Sequence, residues 1–233
     1  NHTTGQILLL DAKTGEKLDG RSGFRGDVRS SVCYDRATDA YYATSKGGDF
    51  IRIKLSADKR SIAESKTLTL QNGNAKSIAM STSTPVIYNG RAYVGVSGSS
   101  QFKMYTGHNI TVIDLADEMS IAYRVETQGY PQTSGLLTTA YEETRYVYVY
   151  FFDNYTPGTM RVLRDSAGQK EADAVYRTAE SYQGKTYSAA YALFTPSGGQ
   201  AQYCICSPIV DENGTIYFKN DSGYLMAYGS ALT

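Results

Sequence analysis

SPIVDENGTIYFKNDSGYLMAYG, residues 207–229, reads as three short strands joined by two tight turns. Ser207-Pro208 opens the stretch, and a proline, which lacks a backbone donor, belongs at the first residue of a strand or on a sheet edge. Asn213-Gly214 predicts a two-residue type I′ hairpin, since both centres of that turn need positive φ and its twist suits the flanking strands. Gly223 marks the second turn. Tyr224, Leu225 and Met226 then form a strand that is apolar on both faces, the pattern of a strand covered from two sides.

The same order returns upstream. STPVIYNGRAYVGVSG (83–98) followed by HNITVIDL (108–115) repeats the hydroxyl-Pro opening, the Asn-Gly turn at Asn89-Gly90, a Tyr-bearing strand and an apolar strand carrying Ile110, Val112 and Ile113. Weaker copies run from Arg29 to Leu55 and from Thr133 to Gly168, while GQILLLDAKTGEKL (5–18) supplies only the later half. The period is about 50 residues, close to that of propeller repeats. The expected fold is therefore all-β: one β-propeller domain of four-stranded antiparallel blades, with about four and a half blades present. A partial blade lies at 1–18, full blades at 29–70 and 83–125, a blade with an insertion at 133–202, and the last at 203–233.

Within that frame, YVYVYFF (146–152) is expected to be an interior strand, because so long an apolar run would be a pairing hazard on an edge. Glu171 to Gln202 is irregular, and AVYRTAESYQ and YSAAYALF each fit either a strand or a short helix. The chain opens Asn-His-Thr-Thr, with neither an initiator Met nor a signal peptide, and its two ends both carry a third strand. A segment of a longer propeller is expected; the alternative is a five-bladed ring in which residues 5–18 complete the last blade.

GQILLLDAKTG (5–15) and SPIVDENGTIYFKNDSGYLMAYG resemble the two halves of the quinoprotein-type, PQQ-like repeat. Together with RSSVCYD, ATSKGGDF and YNGRAYVGVSG they also resemble propeller domains of large secreted surface proteins of Gram-positive bacteria. In quinoprotein dehydrogenases, the resemblance implies, the cofactor rests on a Trp beneath a disulfide of adjacent cysteines, beside a calcium ion. This chain has no Trp, and Ile205 separates Cys204 from Cys206. No cofactor and no metal site are expected in it.

Composition narrows the partner. Lys plus Arg and Asp plus Glu both number 23, so the net charge is zero and the basic surplus that drives nucleic-acid binding is missing. No apolar run reaches the length of a membrane span. The 21 Tyr and 22 Gly suit strands, tight turns and wet amphipathic surfaces. Cys33, Cys204 and Cys206 form no disulfide framework and are expected as free thiols.

Small motifs give way to plainer readings. Arg25-Gly26-Asp27 spells an adhesion tripeptide, but its Gly serves a turn into the next blade. Asp211, Glu212 and Asn213 lack the spacing of a calcium loop and read as solvated turn residues. Sequons stand at Asn1, Asn109, Asn154, Asn213 and Asn220, of which Asn213 has a turn role and Asn220 sits beside a turn, and His2 and His108 stand apart from any catalytic constellation. One pattern points to binding. The segments entering each first strand (Arg29–Ser31, Ser81–Thr84, Tyr130–Ser134, Tyr203–Ser207) are polar and would meet at the mouth of the propeller channel. Arg29, Tyr130, Gln132 and Tyr203 are the ligand-binding candidates there. The expected function is that of a non-catalytic binding or scaffolding module of a secreted, extracellular or cell-surface protein, with a protein or polysaccharide partner and no enzymatic activity. A PQQ- or metal-dependent oxidoreductase working on the propeller axis is the alternative.

Overall fold

The computed structural model describes residues 4–70, 80–98, 107–116 and 118–229; the Asn1 sequon, His2 and residues 230–233 of the last expected blade lie outside them. Strands β1 (Thr4–Leu10) and β2 (Lys17–Arg25) form a two-stranded sheet. Strands β3 (Cys33–Asp35), β4 (Ala40–Thr44), β5 (Asp49–Leu55) and β6 (Ile62–Thr69) form an antiparallel four-stranded sheet in chain order. Next come β7 (Val86–Tyr88), β8 (Arg91–Val96), β9 (Asn109–Asp114) and β10 (Ser120–Glu126), then β11 (Leu136–Thr138), β12 (Val147–Phe152), β13 (Met160–Asp165), β14 (Arg177–Tyr182) and β15 (Lys185–Phe194). These nine make one sheet. Strands β16 (Ile209–Val210), β17 (Ile216–Lys219) and β18 (Leu225–Tyr228) close the series as a three-stranded sheet. No α-helix occurs among the described residues.

Turn chemistry explains the local geometry. Asn89 and Gly90 both take positive φ (48° and 75°), giving the two-residue hairpin the sequence predicts between β7 and β8. Asn213-Gly214 departs from that expectation. Only Gly214 has positive φ (82°), and five residues rather than two separate β16 from β17. Asp211 is the cause: its Oδ1 accepts from the backbone N–H groups of Asn213 and Thr215, both at 2.9 Å, and holds open a wider loop. Those bonds, led by that from Thr215, lower the Asp211 pKa. Asp11 works the same way ahead of Gly15, accepting from Lys13 N and Thr14 N.

The core is divided among the sheets rather than pooled. Phe24 of β2 packs with Ile51, Ile53 and Ile62 of the second sheet. Tyr42 and Phe50 meet Ala92, Val94 and Ile113. Tyr93, Ile110 and Val112 meet Val149, Phe151 and Leu163. Phe152 and Met160 meet Ile216 and Phe218. Three of these clusters join one sheet to the next and the third in order joins the two units of the nine-stranded sheet, which is the face-to-face packing of propeller blades. Burying one such side chain is worth about 1.5–3 kcal/mol. Strand β12 lies between β11 and β13 with both faces covered, the interior position read from YVYVYFF.

Two expectations need correction. Leu225 and Tyr224, read as covered on both faces, are 75% and 54% exposed, because among the described residues only the Met226 side of β18 meets another sheet. The irregular segment is a hairpin. After a single helical turn at Ala174–Tyr176, β14 pairs with the first half of β15, and the second half of β15 pairs with β13. A parallel bridge from Glu126 to Ala189 then joins β15 to β10 and fuses a four-stranded and a five-stranded unit into the nine-stranded sheet.

Candidate functional site

The segments entering the first strands do meet, through bonds that run from each to the next. Ser31 N donates to Thr84 Oγ1 at 2.9 Å, Ser83 Oγ to the Thr133 carbonyl at 2.8 Å, and Ser134 N to Ser207 Oγ at 3.2 Å. The hydroxyls of Ser83, Thr84 and Ser207 are thereby spent on holding neighbouring segments together. The four candidate residues separate. Tyr130 is buried, and its hydroxyl accepts from Thr82 N at 2.7 Å and lies 3.0 Å from Thr82 Oγ1. It ties two segments together and is 1% exposed. Gln132 is half-buried and accepts from Asn154 Nδ2 at 2.7 Å. Arg29 is exposed and paired with Asp27 at 2.9 Å. Tyr203 is exposed, and the Asp221 carboxylate that accepts from its hydroxyl pushes its pKa up. Arg25, in the adhesion-like tripeptide, is committed to Asp49, whose Oδ1 accepts from its Nε at 2.8 Å.

Sequence reading missed a cleft of about 550 Å³ between the two units of the nine-stranded sheet. The Asn89-Gly90 turn delivers Arg91 and Tyr93 on β8; the loop before β12 delivers Thr144, Arg145 and Tyr146; the end of β13 delivers Asp165. Asp165 is fully buried and receives four hydrogen bonds. Arg91 Nε and Tyr93 Oη donate to its Oδ2, each at 2.7 Å, and Arg91 Nη2 and Tyr123 Oη donate to its Oδ1 at 3.1 and 2.7 Å. Arg91 Nη2 also donates to the Gln169 carbonyl at 2.9 Å. Burial and the adjacent Asp165 charge raise the pKa of Tyr93 and Tyr123 far above the ordinary phenol value, so both stay protonated donors. Burial works against the Arg91 charge, but hydrogen bonds and attraction from Asp165 outweigh it. Four residues distant in sequence build this hub, and no local motif announces them.

A second buried network braces the hairpin. Arg161 Nη1 donates to Glu180 at 2.6 Å and to the Ala190 carbonyl at 2.7 Å, and its Nε pairs with Asp153. Burial pushes the Asp153 carboxyl up to about 6 against the pull of Arg161. Arg164 binds Asp173 and stacks over the rings of Tyr146 and Tyr176, at 4.4 and 4.9 Å, which steadies the cleft wall.

The chain's residues do not fit a pyrroloquinoline quinone. It has no Trp for the cofactor to rest on. The three cysteines are free; Cys204 is buried, its thiol pushed up to about 12 by burial, and it donates to the Lys219 carbonyl at 3.2 Å. Among the described residues no three His, Cys, Asp or Glu side chains group as metal ligands would.

No family model and no curated protein sequence matches the chain. Solved structures do. The quinohaemoprotein alcohol dehydrogenase of Pseudomonas putida HK5 aligns with a TM-score of 0.50 at 15% identity, over 96% of this chain and 39% of that one. The quinohaemoprotein alcohol dehydrogenase of Comamonas testosteroni aligns with a TM-score of 0.50 at 11% identity, over 97% of this chain and 38% of that one. BamB of Moraxella catarrhalis aligns more loosely, with a TM-score of 0.40 at 10% identity, over 97% of this chain and 70% of that one. The chain thus spans about two fifths of the length of the dehydrogenases it is similar to. Their likeness corrects the expectation that this protein is not an enzyme: nearly all of the chain is built as a stretch of those dehydrogenases is, so cofactor residues missing from this segment do not argue against catalysis by the protein. At these identities the likeness shows the fold, and the fold is that of a PQQ-like β-propeller.

Proposed function

We propose that the chain is a recognition segment of a propeller in a secreted, cell-surface protein, and that it binds a polar partner, protein or polysaccharide, in the cleft between the two units of the nine-stranded sheet. The observation that carries this reading is the cleft itself, a concavity of about 550 Å³. That is within the usual range for ligand sites, and its convergent arginine, tyrosine, asparagine and hydroxyl groups supply orientation. The rigid Asp165 hub beneath it holds Arg91 and Tyr93 in fixed positions before any ligand arrives. A glycan array and a pull-down from surface extracts test the proposal, each run with the parent chain and with Tyr88→Ala. Partner capture that weakens in the variant supports the reading; capture by the variant equal to the parent's moves the functional surface elsewhere.

A second reading is supported by the alignment with the two alcohol dehydrogenases. Here the protein is a PQQ- or metal-dependent oxidoreductase working on the propeller axis, and this chain contributes blades while other parts of the protein contribute the cofactor residues. Its test is dye reduction by the full-length protein on addition of PQQ and calcium with a primary alcohol. Absence of turnover in that assay ends the second reading and leaves the first.

A further inference from the structure

Within the cleft, negative charge is spent and positive charge is not. Asp165 is the one acid among the described residues of its wall, and all four of its hydrogen bonds come from Arg91, Tyr93 and Tyr123. Arg91 is 4% exposed, and after its bonds to Asp165 and Gln169 its Nη1 has no hydrogen-bond partner. That nitrogen is itself buried, so an anion in the cleft meets Arg91 through its charge and not through a bond to Nη1. Arg145, on the cleft's rim, is exposed, forms no ion pair among the described residues, and has a left-handed backbone with φ of 67°. For a residue with a Cβ that conformation is strained, and such strain gathers at ligand clamps. Tyr88 and Tyr146, both half-buried in the wall, add aromatic surface, and Asn89, Thr144 and Ser166 add neutral polar groups.

From this we infer that the cleft selects a carboxylated saccharide, a uronic acid unit of an acidic polysaccharide, with its carboxylate on the Arg91 and Arg145 side and its ring over a tyrosine. The inference rests on the recognition reading and deepens it. Charge-assisted bonds from guanidinium to carboxylate supply the selectivity. Rings and neutral groups would hold a neutral sugar as well, so the carboxylate sets the preference between two otherwise equal oligosaccharides.

Isothermal titration of the parent chain with tri-galacturonate, tri-glucuronate and the neutral galactotriose tests it. At least one uronate should bind roughly tenfold or more tighter than galactotriose, as one charge-assisted bond implies. The advantage should shrink between low and high salt, since Arg145 is solvent-facing. Arg145→Gln, a surface change that leaves the Asp165 hub intact, should cost most of the advantage. Equal binding of uronate and galactotriose, both lost on Tyr88→Ala, would overturn the carboxylate inference and leave the recognition cleft standing. No binding of any of the three overturns the inference. If partners captured on the array or from extracts are also indifferent to Tyr88→Ala, the recognition reading falls with it.

Discussion

Asp165 shows how much of a site can be invisible in sequence at the level of single residues. Nothing in RVLRD marks its last member as the acceptor for an arginine and a tyrosine more than seventy positions upstream, because the contact is made by packing and not by local pattern. Asn89 and Asn213 make the complementary point: identical Asn-Gly pairs close different turns, since Asp211 captures the second. The hub gives an ordered prediction. Asp165→Asn keeps the shape but leaves the Arg91 charge buried and unanswered, and should cost about 3–5 kcal/mol. Tyr123→Phe removes one donor of four and should cost about 1 kcal/mol. Denaturant midpoints of the two variants, at unchanged m-value, check the order; equal losses would mean that Asp165 does not anchor a buried charge.

Among the elements, strands with strong turns on both sides were legible, and those placed by distant partners were not. Strands β7, β8 and β9 follow from the Asn89-Gly90 turn and the apolar run around Ile110. YSAAYALF stayed ambiguous because its alanines suit a helix as well as a strand. Its register comes instead from β14 on one side, β13 on the other and the Arg161–Glu180 pair that locks the hairpin. Strand β12 offers the sharpest element-level test. Val147 is 7% exposed and sits in the cluster with Val149, Phe151 and Leu163. Val147→Asp buries a charge without a partner and should remove soluble expression, the penalty being several kcal/mol in a molecule of ordinary stability. A soluble variant melting within a few degrees of the parent would mean that β12 is not an interior strand.

Among the described residues each apolar cluster is shared by neighbours in the series, so stability is distributed along it and not held in a common centre. Repeat architectures of this kind behave as sums of unit and interface contributions. The nine-stranded sheet carries most of the fully buried side chains, whereas β16–β18 leave Ile209, Tyr224 and Leu225 open. Hydrogen exchange should therefore be slowest in β8, β9, β12 and β13 and markedly faster in β1–β2 and β16–β18, with local opening well below the global free energy. Uniform protection across all sheets, read by mass spectrometry, would contradict this. The bridge from Glu126 to Ala189 carries a further consequence, for how such a chain is inherited. Strand β15 serves two repeat units at once, completing one through β13 while touching the other through β10. A genetic event that copied or excised a single period at this point would break that one pairing and keep β13, β14 and β15 together. The unit from β11 to β15 can therefore be copied with its inserted hairpin intact, at the cost of one bridge to its neighbour.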